Sequence, residues 1–335
     1  MVSRIIRIIS LTLSLLIAVC CMTGCFGKMI VQDEEHTELP DVDPEDGVEK
    51  TVAVKLYYRL TNEEYLVGVE SGVTVRAGER TETAVIRTLI EGVPPLASNV
   101  SALFPDGTSI ENTYYEKGVL YVTLSKEVLD DSMVSSLKDE DYQSPKEYRQ
   151  AVDEATKEMY LRRKLGVLSI VNTIAGSDEG SRVQIMVDNE GSGTGSRMTY
   201  ETFGFEKRPD EIMEPMGFDG SVVATPQKVA GCLFERIANG QYDMAYALVA
   251  ESDHYGVSRP AYSEFEAELK VLGELEAYEI TGEAEDGDGI YVMADVRIAA
   301  PGGTMRNIIK ARIYLEREGD LYKVCYSSLQ ALMEN

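Results

Sequence analysis

The chain has 335 residues, is 44% hydrophobic, and carries a formal net charge of -25. That length suits two domains, and the apolar content suits chains with real cores. The charge argues against a nucleic-acid reader and against electrostatic docking on anionic lipid, since both need a basic face.

The N-terminus holds the only long apolar run. Arg4 and Arg7 precede Ile8 to Val19, which is broken only by Ser10, Thr12 and Ser14, and small residues then lead to a cysteine. This is the layout of a secretory signal. Met22-Thr23-Gly24-Cys25 resembles a bacterial lipobox, which implies lipidation at Cys25 and removal of residues 1–24. An uncleaved membrane anchor is the competing reading, and both leave a large body outside the membrane. Cleavage takes away Arg4 and Arg7 and no acid, two positive charges from -25, so the mature chain stands near -27. Residues 25–50 read as an acidic disordered tether. Asp33, Glu34, Glu35, Glu38, Asp41, Asp43, Glu45, Asp46 and Glu49 crowd it, with Pro40 and Pro44 among them.

The first domain is expected over 51–205. Residues 52–58 read as a strand, and 65–70 and 73–76 as two more separated at Ser71-Gly72. Thr81 is placed as the cap of a helix over 82–91, with Val85, Ile86, Leu89 and Ile90 on one face and Gly92 ending it. Strands follow at 109–115 and 119–124. Ser144-Pro145-Lys146-Glu147 is a capping box that opens a long helix. Its stripe of Tyr148, Val152, Ala155 and Met159 is expected to be core. A strand over 182–187 completes the domain.

Gly191-Ser192-Gly193-Thr194-Gly195-Ser196 is read as a loop and not a phosphate cradle, because no helix opens after it. Residues 206–223, with Pro209, Pro215, Gly217 and Gly220, read as a linker.

The second domain is expected over 224–335. Thr225-Pro226 opens a helix with Val229, Cys232, Leu233 and Ile237 on one face. Two more helices follow, at 242–250 and around Tyr262, Phe265, Leu269 and Leu272. The period then drops to two, and strands are predicted at 276–282, 290–299, 306–317 and 321–327. Each domain is therefore α+β, with helices packed on a mainly antiparallel sheet.

Five blocks carry a resemblance: Leu89-Ile90-Glu91-Gly92-Val93-Pro94, Phe104-Pro105-Asp106-Gly107-Thr108, Tyr121-Val122-Thr123-Leu124-Ser125, Ile170-Val171-Asn172-Thr173-Ile174 and Val183-Gln184-Ile185-Met186-Val187-Asp188. In order, behind a lipobox, they look like the successive blocks of a GerM domain. The departures are an acidic insertion around 130–143, and Asn189-Glu190 where the family tends to have glycine. Such domains are associated with spore formation and germination in Gram-positive bacteria, and their fold is similar to ring-building modules of the sporulation envelope. The resemblance implies a scaffold or assembly role. In the second domain, Asn239-Gly240-Gln241-Tyr242-Asp243-Met244-Ala245-Tyr246 and the element order resemble a nuclear-transport-factor-like cone domain.

Catalytic signatures are absent: no G-x-S-x-G elbow and no H-E-x-x-H helix appear. His36 falls in the tether, and His254 sits in Asp253-His254-Tyr255, read as a solvated loop although a cone domain can bury a His-Asp dyad. Asp286 and Asp288 read as a hairpin turn, because Ala284 stands where an EF-hand needs its first carboxylate. Tyr57-Tyr58 and Tyr114-Tyr115 are read as pairs with one ring in and one out. Cys232 and Cys325 are read either as two buried thiols or as a disulfide.

The expectation is a non-enzymatic lipoprotein on the outer face of the cytoplasmic membrane. It needs no cofactor or metal and acts by binding or assembly with envelope proteins or itself. Peptidoglycan is a further candidate partner, and nucleic acid is not one. The alternative is a small-ligand-binding or enzymatic cone domain on a GerM-like stalk.

Overall fold

The computed structural model describes residues 49–334 apart from 96, 98, 179, 288, 301 and 302. The signal segment, Cys25, His36 and nearly all of the tether lie outside the described residues. Among the described residues no helix is long and apolar enough to cross a membrane.

Strand β1 (Lys50–Leu60) alternates at first, with Val52, Val54 and Leu56 buried, then is buried at every position from Tyr57 to Leu60. It pairs antiparallel with β2 (Leu66–Val75), from Lys50 opposite Val75 to Arg59 opposite Leu66. The two strands expected at 65–76 are thus one. Ser71 and Gly72 face Val54 and Ala53 in an unbroken ladder, and the long partner strand overrides the local turn signal. On its other edge, among the described residues, β1 pairs only with β3 (Val100–Ser101), at Arg59 and Leu60. Helix α1 (Thr81–Glu91) buries Ala84, Val85, Ile86 and Leu89. Thr81 is its first helical residue; Arg80 is the cap and makes no side-chain cap bond.

The second sheet runs β4 (Ile110–Glu116), β5 (Val119–Ser125), β6 (Arg182–Asp188), β7 (Ser196–Arg197). Strands β4 and β5 form a hairpin turned at Lys117 and Gly118, both at positive φ. Strands β5 and β6 are parallel, with Val122 opposite Ile185. Parallel neighbours need a crossover, and α3 (Pro145–Ala175) supplies it. Ser144 caps α3 by accepting from the Glu147 N–H at 3.3 Å. The acidic insertion folds into α2 (Ser132–Ser135) and packs on α3.

The apolar stripe on α3 departs from expectation. Met159 is buried, but Tyr148, Val152 and Ala155 are only half-buried. From Leu165 to Ala175 every residue is buried. Polar groups in this half bond to the backbone of β1. Ser169 Oγ donates to the Tyr57 carbonyl, and the Tyr57 N–H donates to Thr173 Oγ1 at 3.0 Å. Strand β3 is too short to reach Tyr57, so the helix satisfies backbone groups that a neighbouring strand would otherwise take. Asn172 holds the segment before the second lobe: its Nδ2 donates to the Asp219 carbonyl at 3.0 Å, and its Oδ1 accepts from the Asp219 N–H at 2.8 Å.

In the second lobe α4 (Pro226–Ala238), α5 (Tyr242–Ala247) and α6 (Tyr262–Leu272) precede a meander of β8 (Glu274–Asp286), β9 (Gly289–Ala299), β10 (Met305–Glu318) and β11 (Leu321–Val324). All neighbours in this sheet are antiparallel. The strand expected to reach Ser327 stops at Val324, and a helix that the sequence reading missed, α7 (Tyr326–Glu334), follows it. Tyr326, Leu329 and Leu332 recur every third residue and are buried. Phe234 on α4 and Phe265 on α6 are fully buried, each contributing about 1.5–3 kcal/mol by leaving water. Both lobes are α+β, as expected.

Candidate functional site

The residues singled out from sequence fall into structural roles more often than chemical ones. Tyr57 and Tyr58 are both buried, not one in and one out: the Tyr57 ring packs edge-on against Phe218 with centroids 5.8 Å apart, and the Tyr58 hydroxyl donates to the Gly92 carbonyl at 3.0 Å. Tyr114 and Tyr115 are 40% and 46% exposed. Tyr114 stacks on its cross-strand partner Tyr121 with centroids 4.5 Å apart and planes within 2°. Asp286 accepts from Arg312 Nη1 at 3.0 Å and from the Tyr314 hydroxyl at 3.1 Å, so the hairpin-turn reading accounts for it; Asp288 lies outside the described residues.

The glycine-rich loop after β6 is built around Asp188. This carboxylate accepts from the N–H groups of Glu190 and Ser192 at 3.1 Å and of Gly193 at 2.5 Å. Burial pushes the Asp188 carboxyl up, but the backbone N–H groups of Gly193, Ser192, Glu190 and Gly191 outweigh it and hold the group below its ordinary value. Donors that would cradle a phosphate are already taken by this side chain.

Cys232 and Cys325, read above as buried thiols or a disulfide, are both free and buried. Their surroundings differ. Burial, then the charge of Glu63, pushes the Cys232 thiol well up. Burial, then Glu316 and Asp253, pushes the Cys325 thiol up to about 12.

The densest chemistry outside these features surrounds His254. After α5 the chain runs beside β11, with Val249 bridging Val324 and the Ala250 N–H donating to the Val324 carbonyl at 2.9 Å. It then turns sharply at 252–258. Asp253 braces the turn: its Oδ1 accepts from the N–H groups of Tyr255 at 3.1 Å and Val257 at 2.8 Å, and Gly256 takes a positive φ. Arg259 locks the base, donating to the Tyr246 and Val249 carbonyls at 3.1 and 3.0 Å. His254 is thereby pressed on Glu316 of β10. The His254 N–H donates to Glu316 Oε1 at 2.9 Å, and Nδ1 lies 2.7 Å from the same oxygen. The Cys325 N–H donates to the Tyr314 carbonyl at 2.8 Å, which seats its thiol beside them. One nitrogen, one oxygen and one sulfur donor lie within 4.8 Å of one another. The sequence reading noticed His254 but not Glu316, which lies 62 residues away on a strand whose register alone selects it.

A cleft of about 910 Å³ lies next to this cluster, lined by Glu316, Glu318, Lys323, Arg259, Val67 and Asn99 among others. Lys323 is buried in an ion pair with Glu318 at 2.9 Å. A smaller pocket of about 410 Å³ in the first lobe includes Phe104, Met159 and Arg163. Arg163 is bound to the carbonyls of Leu129, Asp130 and Thr202, so it holds the insertion on α3.

Against this geometry stand the relatives. Residues 55–192 match the Germane family model, described as sporulation and spore germination. No curated protein matches the chain. Among solved structures, the tandem GerMN domains of the sporulation protein GerM from Bacillus subtilis share 15% identity, with 78% of this chain and 62% of that one covered and a TM-score of 0.28. A Clostridium perfringens protein described as a lipoprotein shares 17% identity over 51% of this chain and 87% of its own, with a TM-score of 0.24. The chain thus spans less than two thirds of the length of the tandem GerMN structure.

Proposed function

We propose that this chain is a non-catalytic lipoprotein, held by a lipid on Cys25 at the outer face of the cytoplasmic membrane, with a binding or assembly role in sporulation or germination. The match of residues 55–192 to the Germane model carries the reading. Binding is favoured over catalysis by how the first lobe uses its buried polar groups. Ser169, Asn172 and Thr173 serve the backbone of β1 and of the segment before the second lobe, Asp188 serves its own loop, and Arg163 holds the insertion. Groups engaged in this way are not free to move protons or attack a substrate. Residues 224–335 are read as a cone-like module. Large buried rings such as Phe234 and Phe265 occupy its interior, which disfavours the alternative of a ligand pocket in the cone. Partners of the first rank are envelope proteins or further copies of the chain, with peptidoglycan a third class.

The test is made in the native host. Cys25→Ala should release the protein from the membrane fraction and abolish fatty-acid labelling, and a strain carrying only this variant should show a defect in spore yield or germination. Chemical cross-linking in intact cells should capture an envelope protein or a second copy. Wild-type spore behaviour in a strain lacking the chain altogether would sink the assignment.

A further inference from the structure

We propose that His254, Glu316 and Cys325 form a binding site for a divalent cation of the zinc class. The donors are a His254 ring nitrogen, a Glu316 carboxylate oxygen and Cys325 Sγ, all within 4.8 Å of one another. For three points that close, a common centre lies at most about 2.8 Å from each, while zinc bonds run about 2.0–2.3 Å. Side-chain adjustments of less than about one ångström therefore bring all three onto one ion. Imidazole, carboxylate and thiolate together suit zinc; calcium and magnesium take oxygen donors instead.

Two further observations point to a ligand. Asp253 is 7% exposed, and its Oδ2 is buried with no hydrogen-bond partner among the described residues. Its other oxygen braces the very turn that carries His254. A buried carboxylate oxygen with no partner is costly unless something positive answers it. Glu316 is the second. Its hydrogen bonds both come from His254, and no Lys or Arg is paired with it among the described residues. The nearby cations are committed: Lys323 to Glu318, Arg259 to backbone carbonyls, and Arg312 to Asp286. Lys323 stands across the ladder from Glu316 but gives its ammonium to Glu318, so among the described residues the cluster gathers acids and a thiol with no Lys or Arg ion-paired to it.

Binding is balanced simply. The Sγ–H bond of Cys325 breaks, its proton leaves to solvent, and Sγ bonds the metal as thiolate. His254 coordinates as neutral imidazole through the ring nitrogen that carries no proton; where that nitrogen is Nδ1, the proton now facing Glu316 moves to Nε2 by tautomerisation, so that only the thiol proton leaves the site. The ion would pin the 252–258 turn to β10 and to the start of α7, adding one shared link to elements that hydrogen bonds already join in pairs. This inference stands apart from the proposed envelope role.

The experiment uses the full chain and the metal alone. Titration with Zn2+ against a chromophoric chelator should give one tight site per chain, and excess Zn2+ should raise the thermal midpoint by mass action. Co2+ should produce a near-ultraviolet thiolate-to-metal charge-transfer band. His254→Gln and Glu316→Gln, on partly exposed side chains, should weaken binding by about tenfold or more, and Cys325→Ser should remove the charge-transfer band. His36→Gln, in the tether, should change nothing. If wild type gives no thiolate band with Co2+, or if His254→Gln and Glu316→Gln, folded by circular dichroism, bind Zn2+ as tightly as wild type, the site does not exist.

Discussion

Arg236 on α4 grips Glu63 in the turn between β1 and β2, Nε to Oε1 at 2.7 Å and Nη2 to Oε2 at 2.8 Å. The two residues are 173 positions apart. The same guanidinium also donates to the Asn62 carbonyl at 2.6 Å and to Gln241 Oε1 at 2.7 Å, while the Glu63 side chain is only 6% exposed. Its hydrogen bonds to the Glu63 carboxylate hold Arg236 above its ordinary value. This is how the first lobe's hairpin is fastened to the second lobe's first helix.

Removing one partner leaves a buried charge unanswered. Arg236→Ala should therefore cost about 3 kcal/mol or more, read as a lowered urea midpoint. Arg236→Lys should recover only part of it, because an ammonium cannot make the two-pronged contact. A loss below about 0.5 kcal/mol for Arg236→Ala would place the pair among inert surface contacts.

The pairing of Glu79 with Arg87 sets a pH dependence. Arg87 Nε and Nη2 reach the two Glu79 oxygens at 2.9 and 3.1 Å. Burial raises the Glu79 carboxyl, but hydrogen bonds from Arg87 and the Arg76 N–H more than offset it and hold it below 4.5. A carboxyl depressed in the fold contributes stability that is complete above its unfolded value and disappears as pH falls through its folded value. Glu79→Gln should thus destabilise by about 1–2 kcal/mol at pH 7, and the gap to wild type should close as pH falls below 4.5. Urea melts across that range give the answer. A gap unchanged at low pH would mean the loss comes from packing and not from charge.

Thr173 and Ser169 test the use of a helix in place of a strand. Thr173→Val keeps the shape and leaves the Tyr57 N–H without its acceptor, and Ser169→Ala leaves the Tyr57 carbonyl without its donor. Each should cost about 1–3 kcal/mol. Because both act on one peptide segment, the double variant should depart from additivity. Additive losses in thermal melts would mean that the two bonds act separately.

What could be read from the sequence follows from how local each signal is. Ser144 and Pro145 at the start of α3, Thr225 and Pro226 at α4, and the alternation of β8 to β10 act through near neighbours, and all appear where expected. Strand β2 was divided because Ser71-Gly72 mimics a turn, and only its pairing with β1 overrides that. The parallel join of β5 and β6 was hidden because register between Val122 and Ile185 depends on how α3 crosses over. Helix α7 was hidden because Leu321 to Cys325 shows a strand signal that α7 follows almost without a break. The His254 cluster was half visible: the histidine stood out by rarity, whereas Glu316 is one acid among 57 Asp and Glu residues and is selected only by the register of β10.

The two halves of α3 should respond very unequally to the same substitution. In its first half the apolar stripe is shallow, and Val152 is half-buried. In its second half Ile170 is fully buried beside Val171, with Ser169 and Thr173 bonded to Tyr57 on either side. A carboxylate at 170 has no water and no partner cation, and burying it costs several kcal/mol. That is a large part of the roughly 5–15 kcal/mol that holds a typical domain together. Ile170→Asp should therefore abolish cooperative unfolding. Val152→Asp keeps access to solvent by swinging the carboxylate outward, and should cost about 1 kcal/mol. Thermal melts of the two variants decide between this division and a uniformly buried helix. If Val152→Asp loses its fold as completely as Ile170→Asp, the first half of α3 is core after all. If it keeps its melting temperature but loses self-association in sedimentation, the shallow stripe of Tyr148, Val152 and Ala155 is an assembly face.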